Sequence, residues 1–237
     1  MKTNDIFVFK RYEVKYMLSL SQYEKIINVI TSYLLSDIHG KSTIQSLYYD
    51  TDNFKIIRDS IDAKSYKEKL RLRCYNKNID NKVFLELKKK YNGVVFKRRI
   101  SLSEDDAITY LANDNAKYND SQIAKEIDYF KKLYGSLKPK VLLLYDRMAY
   151  FDLNSDLRIT FDNNIRYRTS DFSLKNDLVG KPLFDNNNYY LMEIKTGVAM
   201  PLWLSKILNE NKIYPCSFSK YKNVYVKEYL NHVWFYF

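Results

Sequence analysis

Cations recur at every second position in several short segments of this chain, and they are the side chains best placed to do chemistry. Residues 66–75 show the pattern most clearly, because one face of the predicted strand carries Lys67, Lys69, Arg71 and Arg73. The opposite face carries Glu68, Leu70, Leu72 and Cys74. Arginine grips phosphate oxygens through a planar fork, and lysine supplies a movable point charge. The pattern therefore favours the binding of a polyanion.

Other predicted strands repeat this alternation, and most of them add a carboxylate. The side chains that share a face are Glu86, Lys88 and Lys90; Lys97 and Arg99; Tyr145 and Arg147; Arg158, Thr160 and Asp162; and Glu193 and Lys195. Arg98 is an exception on the apolar side. For any one strand, an ordinary sheet with a solvated basic face explains the pattern. Six such strands instead favour a barrel with a charged lumen, where cations bind a polyanion and carboxylates bind a divalent metal.

Composition excludes several other classes of function. Lysine and arginine number 39 against 28 acidic residues, and the net charge of +11 favours an anionic partner. The two histidines, His39 and His232, are too few for histidine-ligated zinc, and their contexts argue against Ser-His-Asp catalysis. The sequence has neither a GxxxxGK[ST] nor a GxGxxG loop, so side chains must hold any bound anion. Nucleic-acid binding is the generic alternative for such a basic chain, but its cations alternate with carboxylates on strands.

Length and cysteine usage bound the architecture and the compartment. With 237 residues, 46% of them apolar, the chain predicts one domain with a substantial core, spanning residues 1–237. Two cysteines predict reduced thiols in the cytoplasm. The start lacks the apolar core of a signal peptide, and no stretch approaches a membrane span, which predicts a soluble protein. The apolar segment 233–237 either packs on the core or contacts a membrane or partner.

The elements that must position these residues follow from periodicity and capping signals. Strands are predicted at 7–17, 44–50, 66–75, 82–90, 94–102, 140–151, 156–162 and 189–195, with Asn92-Gly93 as a hairpin turn. Helices are predicted from Ser19 or Ser21 to about residue 35, near 53–62, after Ser103, near 121–134, from Pro201 and at 218–230. Residues 170–188 read as a loop. The fold class is therefore α+β.

At this level of detail the motifs resemble a known family. They are RYEVKY (11–16), LYYDT (47–51), RDSIDAKSYKEKLRLRCY (58–75), VFLELKKKYNGVVFKRR (83–99), YDRMAYF (145–151), LRITFD (157–162), LMEIK (191–195) and AMPLWLSKIL…YPCSFSKY (199–221). Together they resemble the VTC domain, the vacuolar transporter chaperone family, whose catalytic member is a polyphosphate polymerase. That family belongs to the triphosphate tunnel metalloenzymes, also called the CYTH superfamily.

The resemblance implies a closed antiparallel β-barrel of about eight strands, flanked by helices, that binds triphosphate with Mn²⁺ or Mg²⁺. Matched by motif, the phosphate-contacting catalytic residues are Lys15, Arg71, Arg73, Lys88, Lys97 and Arg147, with Lys220 a further cation near the phosphate path. Glu193 matches the metal-binding glutamate. One departure is Ser217, where the family's polymerase can carry lysine. This loss of one cation bears on polymerase efficiency rather than on phosphate binding.

The alternation adds further candidates beside the matched residues. Substrate-binding candidates are Lys69, Arg99, Arg158 and Lys195, and additional metal candidates are Glu13 and Asp162. Glu13, Glu86 and Glu193 are alternatively internal partners of cations, and Asp162 either binds metal or orients Arg158. A register slip of one residue would exchange Lys97 with its neighbours Arg98 and Arg99. Packing is favoured over base stacking for Tyr48, Tyr49 and Tyr145.

The function expected from the resemblance is a polyphosphate polymerase that transfers the terminal phosphate of ATP to a growing chain. One alternative keeps the tunnel but makes it a triphosphatase acting on inorganic or nucleoside triphosphates. Another is a non-catalytic polyphosphate sensor for a membrane partner. In the family, the domain works with membrane subunits, so we expect a separate integral membrane protein as partner. A location at the cytoplasmic face of a membrane is the corresponding alternative to the cytoplasm.

Overall fold

The computed structural model describes residues 12–230, except for 39, 64, 77–79, 93, 114–115, 176, 187 and 198. Several sequence predictions lie outside the described residues. They are the start of the first strand at 7–11, both histidines, Gly93 of the predicted hairpin turn, and the apolar segment 233–237.

Strands and helices of the described residues confirm the α+β class. The strands are β1 (Tyr12–Ser19), β2 (Leu35–Ser36), β3 (Ser42–Asp50), β4 (Tyr66–Tyr75), β5 (Lys82–Tyr91), β6 (Val94–Ser103), β7 (Lys138–Phe151), β8 (Arg158–Arg168), β9 (Lys181–Pro182), β10 (Tyr189–Thr196) and β11 (Pro215–Cys216). The helices are α1 (Leu20–Ile30), α2 (Lys55–Asp62), α3 (Glu104–Ala112), α4 (Gln122–Tyr134), α5 (Leu202–Glu210) and α6 (Lys220–Tyr229). Each long predicted strand is present, and the short strands β2, β9 and β11 are additions.

All strands belong to one antiparallel sheet. Its order is β11–β1–β10–β8–β7–β3–β4–β5–β6, with β2 paired to β7 and β9 paired to β8. Tyr91 pairs with Val94 at the end of the β5–β6 hairpin, where Asn92-Gly93 predicts the turn. The sheet curls strongly, because Lys88 on β5 and Glu13 on β1 lie 3.6 Å apart although five strands separate β1 and β5 in the sheet.

The predicted closed barrel of about eight strands is wrong, because the sheet is open and has eleven strands. Eight of these have eight or more residues, and the other three have two residues each. In the part of the chain that the structure describes, no pairing links β6 to β1 or β11. Part of the second edge of β1 is occupied by β11, since Lys15 pairs with Cys216 and Tyr16 with Pro215. Closure of the sheet along this edge would have to displace β11 from these two residues.

Serine caps start four of the helices, in agreement with three of the predicted starts. Ser19 forms a capping box with Gln22 and fixes the start of α1, while Ser103 and Ser121 cap α3 and α4. Ser219 caps α6 through the backbone N–H of Lys222. Helix α1 ends earlier than predicted, at Ile30, because residues 31–34 form a turn that leads into β2, which pairs with β7. No described helix combines the length and hydropathy that crossing a bilayer would require.

Two apolar clusters cover the face of the sheet that carries few charges. Helices α3 and α4 pack on β4–β6 through residues such as Ala107 and Phe130. Helices α1 and α5 pack on β1, β8 and β10 through residues such as Ile26 and Leu204. This agrees with the prediction that helices cover the apolar outside of the sheet. Cys74 is buried in the first cluster, and both cysteines are free.

The third cluster places a helix on the inner, charged face of the sheet, which the sequence does not predict. Tyr221 and Val224 of α6 pack with Tyr48 on β3 and Tyr145 on β7. Tyr221 stacks on Tyr48 with ring centroids 4.6 Å apart, and its hydroxyl donates to buried Asp50 at 2.9 Å. Helix α6 therefore covers one part of the inner face, and its N-terminus lies beside the charged part.

Candidate functional site

Glu86 on β5 is the centre of one cluster of charges on the inner face, and its side chain is fully buried. Arg71 Nε and Nη2 donate to its Oε2 atom at 2.9 and 2.8 Å. Around Oε1 lie Lys97 Nζ at 2.9 Å and Arg99 Nε at 2.8 Å. Burial alone would raise the pKa of Glu86, but Arg71, Arg73 and Lys97 lower it well below its usual range. The carboxylate therefore stays charged and draws four cations together.

Two buried tyrosines hold the far sides of these arginines. Arg71 Nη1 donates to the Tyr48 hydroxyl at 2.9 Å, and Arg73 Nη2 donates to the Tyr145 hydroxyl at 3.0 Å. Burial would raise the pKa of Tyr48, but Arg71 and Lys69 lower it to about 7. The tyrosines pack, as predicted, and they also fix the guanidinium groups in place. Each arginine is thereby held before any ligand arrives.

A second cluster contains two carboxylates and three lysines. Lys15 Nζ lies 3.2 Å from Glu13 Oε1, and Lys88 Nζ lies 3.6 Å from Glu13 Oε2. Lys195 Nζ lies 2.7 Å from Glu193 and 3.9 Å from Glu13, so it bridges the two carboxylates. Burial would raise the pKa of Glu193, but Lys195 and Lys15 lower it well below its usual range. Burial and Glu193 would raise the pKa of Glu13, but Lys88 and Lys15 lower it. Both carboxylates therefore remain ionised.

Asp162 on β8 forms a third cluster and is fully buried. Arg147 Nε and Nη2 donate to its two oxygens at 2.5 and 2.7 Å, and Lys220 Nζ lies 2.6 Å from Oδ2. Arg158, which the sequence offers as an alternative partner of Asp162, instead pairs with Asp37 at 2.9 Å and is half exposed. Asp162 therefore orients Arg147 and Lys220, whereas Arg158, which pairs in the sheet with Lys195, forms its ion pair with a carboxylate outside the three clusters.

Lys69 connects the cations of β4 to the start of α6. Its Nζ atom donates to the Ser219 hydroxyl at 2.8 Å. Burial lowers the pKa of Lys69 to about 8, an effect that nearby Lys15 and Lys88 reinforce and Tyr48 opposes. Ser219 is the capping residue of α6, so Lys69 and Lys220 lie at the end of the helix where backbone N–H groups favour anions.

The register of the β5–β6 hairpin decides which of three adjacent cations face inwards. Lys97 pairs with Lys88, and Arg99 pairs with Glu86, so both lie on the inner face as the alternation predicts. Arg98 lies on the other face, where its Nε atom donates to Glu126 of α4 at 3.1 Å. The alternative slipped register is therefore not the one adopted.

Together the three clusters and Lys69 bring ten cations and four carboxylates onto one inner surface. The cations are Lys15, Lys69, Arg71, Arg73, Lys88, Lys97, Arg99, Arg147, Lys195 and Lys220. The carboxylates are Glu13, Glu86, Asp162 and Glu193. The carboxylates keep the cations close together while leaving a large excess of positive charge. Such a surface is suited to a multiply charged anion.

A divalent metal would find two of the three predicted metal ligands side by side. Glu13 and Glu193 both lie within 4 Å of Lys195 Nζ, whereas both oxygens of Asp162 are taken by Arg147 and Lys220. Among the described residues, no group of three or more metal-ligating side chains converges. Mg²⁺ commonly binds through one or two carboxylates together with substrate phosphates and water. Glu13 and Glu193 fit that kind of site, and Asp162 does not belong to it.

Several hydroxyls at the site are not predicted from the sequence. Ser219 receives the hydrogen bond from Lys69, and Ser46 on β3 accepts from Arg73 Nε at 3.2 Å. Tyr48 and Tyr145 accept from arginines, as described above. The signal for Ser219 was available, because a serine directly before an apolar helical segment is a typical N-cap. Nothing in the alternation distinguishes Ser46, because a serine on a strand face is chemically unremarkable.

Comparisons with known proteins identify a family and a similar solved structure. The family model of the VTC domain matches residues 10–229. Among solved structures, a proposed adenylate cyclase from Bacillus halodurans superposes with a TM-score of 0.55 at 15% identity, covering 89% of this chain and 95% of that one. This likeness shows a shared fold.

Two further solved structures superpose less well on this chain. A protein from Pyrococcus horikoshii has a TM-score of 0.48 at 16% identity, covering 92% of this chain and 99% of that one. A proposed adenylate cyclase from Vibrio parahaemolyticus has a TM-score of 0.48 at 9% identity with the same coverage. No curated protein sequence matches the chain.

Proposed function

This chain belongs to the VTC domain family, and from that premise we propose that it is a metal-dependent polyphosphate polymerase. It would transfer the terminal phosphate of ATP to the end of a polyphosphate chain and release ADP. The observation that carries the proposal is the inner surface on which ten cations surround four carboxylates, three of them buried. A surface of this kind binds phosphate groups along its length rather than at a single point.

The proposed reaction asks these residues for positioning and charge neutralisation. Arg71 and Arg73, held by Glu86 and by tyrosine hydroxyls, would clamp the transferred phosphate bidentately. Lys88 and Lys97 would follow the phosphates as movable charges. An oxygen at the end of the chain would attack the terminal phosphorus of ATP, and the bond to ADP would break. No nucleophilic side chain is needed for this step.

Arg147 and Lys220 would act on the same phosphates from the opposite wall. Asp162 contacts both of them, at distances of 2.5 to 2.7 Å. Glu193 and Glu13 would hold Mn²⁺ or Mg²⁺, which would offset charge on the phosphate oxygens when bound. Lys195, which lies 2.7 Å from Glu193 and 3.9 Å from Glu13, would supply a further positive charge to the phosphates.

A triphosphatase is the second candidate, and the position of α6 favours it. Tyr221 of α6 stacks on Tyr48, so the helix covers part of the inner face and shortens the length open to phosphates. A short triphosphate would suit this better than a long polymer. Ser217, where the family's polymerase can carry lysine, is exposed just before the helix and adds no charge to the phosphate path. In this reaction water would replace the end of the chain as acceptor.

The test is incubation of the purified protein with γ-labelled ATP and either Mn²⁺ or Mg²⁺, followed by gel separation. A ladder of labelled polyphosphate would support the polymerase, and free labelled phosphate alone would support the triphosphatase. Glu193→Gln should abolish either product, while Glu126→Gln, on the outer face, should not. Binding of polyphosphate without turnover under either metal would instead indicate a sensor.

We also propose a separate integral membrane protein as the partner of this chain, located with it at the cytoplasmic side of a membrane. The support is the family relationship, because a polymer of this charge needs a route away from its site of synthesis. Co-purification of the full chain with membranes from the source cells, and its release by high salt, would test this location.

A further inference from the structure

Thr160 is a buried hydroxyl whose hydrogen-bonding capacity is unused in the described structure. It lies on β8, and its side chain is 3% exposed. Its Oγ1 atom finds no hydrogen-bond partner among the described residues. A hydroxyl removed from water without a partner costs free energy, so such groups in proteins call for an explanation.

The position of Thr160 in the sheet places this hydroxyl within the charged surface. Thr160 pairs with Glu193 on β10 and with Ala149 on β7. Glu193 in turn pairs with Lys15 on β1. Directly paired residues in a sheet project side by side from the same face, with Cβ atoms roughly 5 Å apart. The hydroxyl therefore lies next to a predicted metal ligand and one strand away from a predicted phosphate ligand.

Neighbours along the strand complete the surroundings of Thr160. Asp162, two residues further on β8, shares its face and binds Arg147. Ala149 has a short side chain, whereas Arg147, two residues before it on β7, has a long one. Thr160 and Ala149 thus form a low point between the Glu193 and Asp162 clusters. The carboxylates on either side already have cationic partners and do not use the hydroxyl.

We propose that the Thr160 hydroxyl donates a hydrogen bond to a phosphate oxygen of the bound phosphate chain, beside Glu193. Thr160 would then be a substrate-positioning residue that joins the metal-binding side of the surface to the Arg147 side. This inference rests on the proposed function, since it assumes that phosphates occupy the charged surface. A phosphate oxygen accepts hydrogen bonds from every side, so it satisfies a donor that faces carboxylates and cations.

The experiment compares Thr160→Val with Thr160→Ser in the full chain, using tripolyphosphate as the probe. Calorimetry measures the affinity with and without Mn²⁺, and urea denaturation measures the stability of the free protein. We expect Thr160→Val to bind tripolyphosphate about tenfold more weakly, because a hydrogen bond to a charged group is lost. Free Thr160→Val should be at least as stable as the wild type, since its hydroxyl has no partner to lose. Thr160→Ser should restore wild-type affinity.

Thr196→Val is the matched control, because the hydroxyl of this buried threonine on β10 already has a partner. Its Oγ1 atom donates to the carbonyl oxygen of Ala199 at 3.4 Å. We expect this variant to lose stability and to keep its affinity for tripolyphosphate. The weakening by Thr160→Val should appear without metal as well as with it. A defect seen only with Mn²⁺ would overturn the direct contact to phosphate in favour of a metal-bound water.

The outcomes separate this inference from the function on which it rests. If the wild type binds tripolyphosphate and Thr160→Val binds it equally well, the inference alone is overturned. If Thr160→Val instead loses stability as the free protein, the hydroxyl has a structural role and the inference is again overturned. If the wild type does not bind tripolyphosphate under either condition, the proposed function falls and the inference falls with it.

Discussion

The two glutamate centres of the inner surface differ in a way that assigns them different roles. Glu86 is a single carboxylate among four cations, three of which are arginines. Glu13 and Glu193 are two carboxylates among cations that are all lysines. The first centre has a large excess of positive charge, whereas the second is close to balance.

This difference separates a fixed part of the site from an adjustable one. Arg71 is held by Glu86 on one side and by Tyr48 on the other, so it has little freedom left. Lys88 lies 3.6 Å from Glu13, a longer contact that is more easily exchanged for one with another anion. In the proposed reaction, the Glu86 centre would therefore provide a rigid clamp for phosphate, and the other centre would be the one that accepts a metal ion.

The largest expected effect comes from removing the organiser of the rigid centre. Glu86→Ala would leave four cations around an empty buried position, because nothing else there carries a negative charge. We expect the free energy of unfolding to fall by about 3–5 kcal/mol, as for other buried ion pairs that lose one partner. Urea denaturation measures this, with Glu210→Ala as a control that removes only an exposed pair with Lys206.

Tripolyphosphate should recover part of this loss, since its oxygens replace those of the missing carboxylate. If Glu86→Ala were as stable as the control variant, Glu86 would not be the residue that holds the four cations together. Glu86→Gln keeps the shape of the side chain and shows whether the charge alone is responsible.

The second prediction concerns the adjustable centre. Glu193→Gln should keep most of the stability of the free protein, because lysines there can turn towards solvent or towards Glu13. We expect the affinity for Mn²⁺ in the presence of tripolyphosphate to fall by at least about tenfold, since even outer partners of metal ligands contribute that much. Calorimetric titration of Mn²⁺ into the tripolyphosphate complex is the measurement. An unchanged affinity would exclude Glu193 as a metal ligand.

The third prediction concerns the pH dependence of tripolyphosphate binding through Lys69. The pKa of Lys69 is lowered from an ordinary 10.5 to about 8. At pH 7 the ammonium is charged, and Lys69→Met should bind tripolyphosphate roughly tenfold more weakly than the wild type. As the pH rises through 8 towards 9, Lys69 loses its proton and the two proteins should become alike. The ratio of their affinities cancels the ionisation of the ligand itself.

The contribution of Lys69 to stability should rise with pH, whereas its contribution to tripolyphosphate binding should fall. Between about pH 8 and pH 10.5 the unfolded chain binds more protons at Lys69 than the folded chain does. The contribution of Lys69 to the free energy of unfolding therefore rises with pH across this window. Urea denaturation of the wild type and Lys69→Met at pH 8 and pH 10 isolates that contribution. A ratio of affinities that stays constant from pH 7 to pH 9 would contradict the lowered pKa.

The smallest expected effect lies on the outer face and tests the specificity of the comparison. Arg98 pairs with Glu126 of α4, and the two side chains are 39% and 20% exposed. Arg98→Ala should lower the free energy of unfolding by less than about 1 kcal/mol, because such pairs are solvated. Its affinity for tripolyphosphate should equal that of the wild type, whereas Arg99→Ala should bind it more weakly. Equal losses in both variants would mean that bulk charge, rather than position, binds the anion.

The sequence predicts which side chains of a strand share a face of the sheet. It does not predict which strands pair along their edges. Alternation correctly put Lys97 and Arg99 on the inner face and Arg98 on the outer face, because side chains of a strand point alternately to its two sides. The same alternation says nothing about which strand pairs with which. The two-residue strand β11, which occupies the edge of β1, carries no pattern to detect.

Helix α6 shows the corresponding limit for helices. Its apolar residues predict that it is buried, but they do not say against which face of the sheet. Tyr48 and Tyr145 are the inner-face residues on which it packs, and both look like ordinary strand aromatics in the sequence. Their hydrogen bonds to arginines depend on this packing, so a site residue such as Tyr48 emerges only with the fold.

Because the sheet is open, a bound ligand could hold its two sides together. Within the described residues, β1 and β5 are joined across the interior by the contact of Lys88 with Glu13 rather than by backbone hydrogen bonds. An anion bound between Lys88 on β5 and Lys15 on β1 would be attracted to both strands and would link them. Binding of the anion would then stabilise the folded protein. A ligand present at a hundred times its Kd raises the free energy of unfolding by about 2.7 kcal/mol.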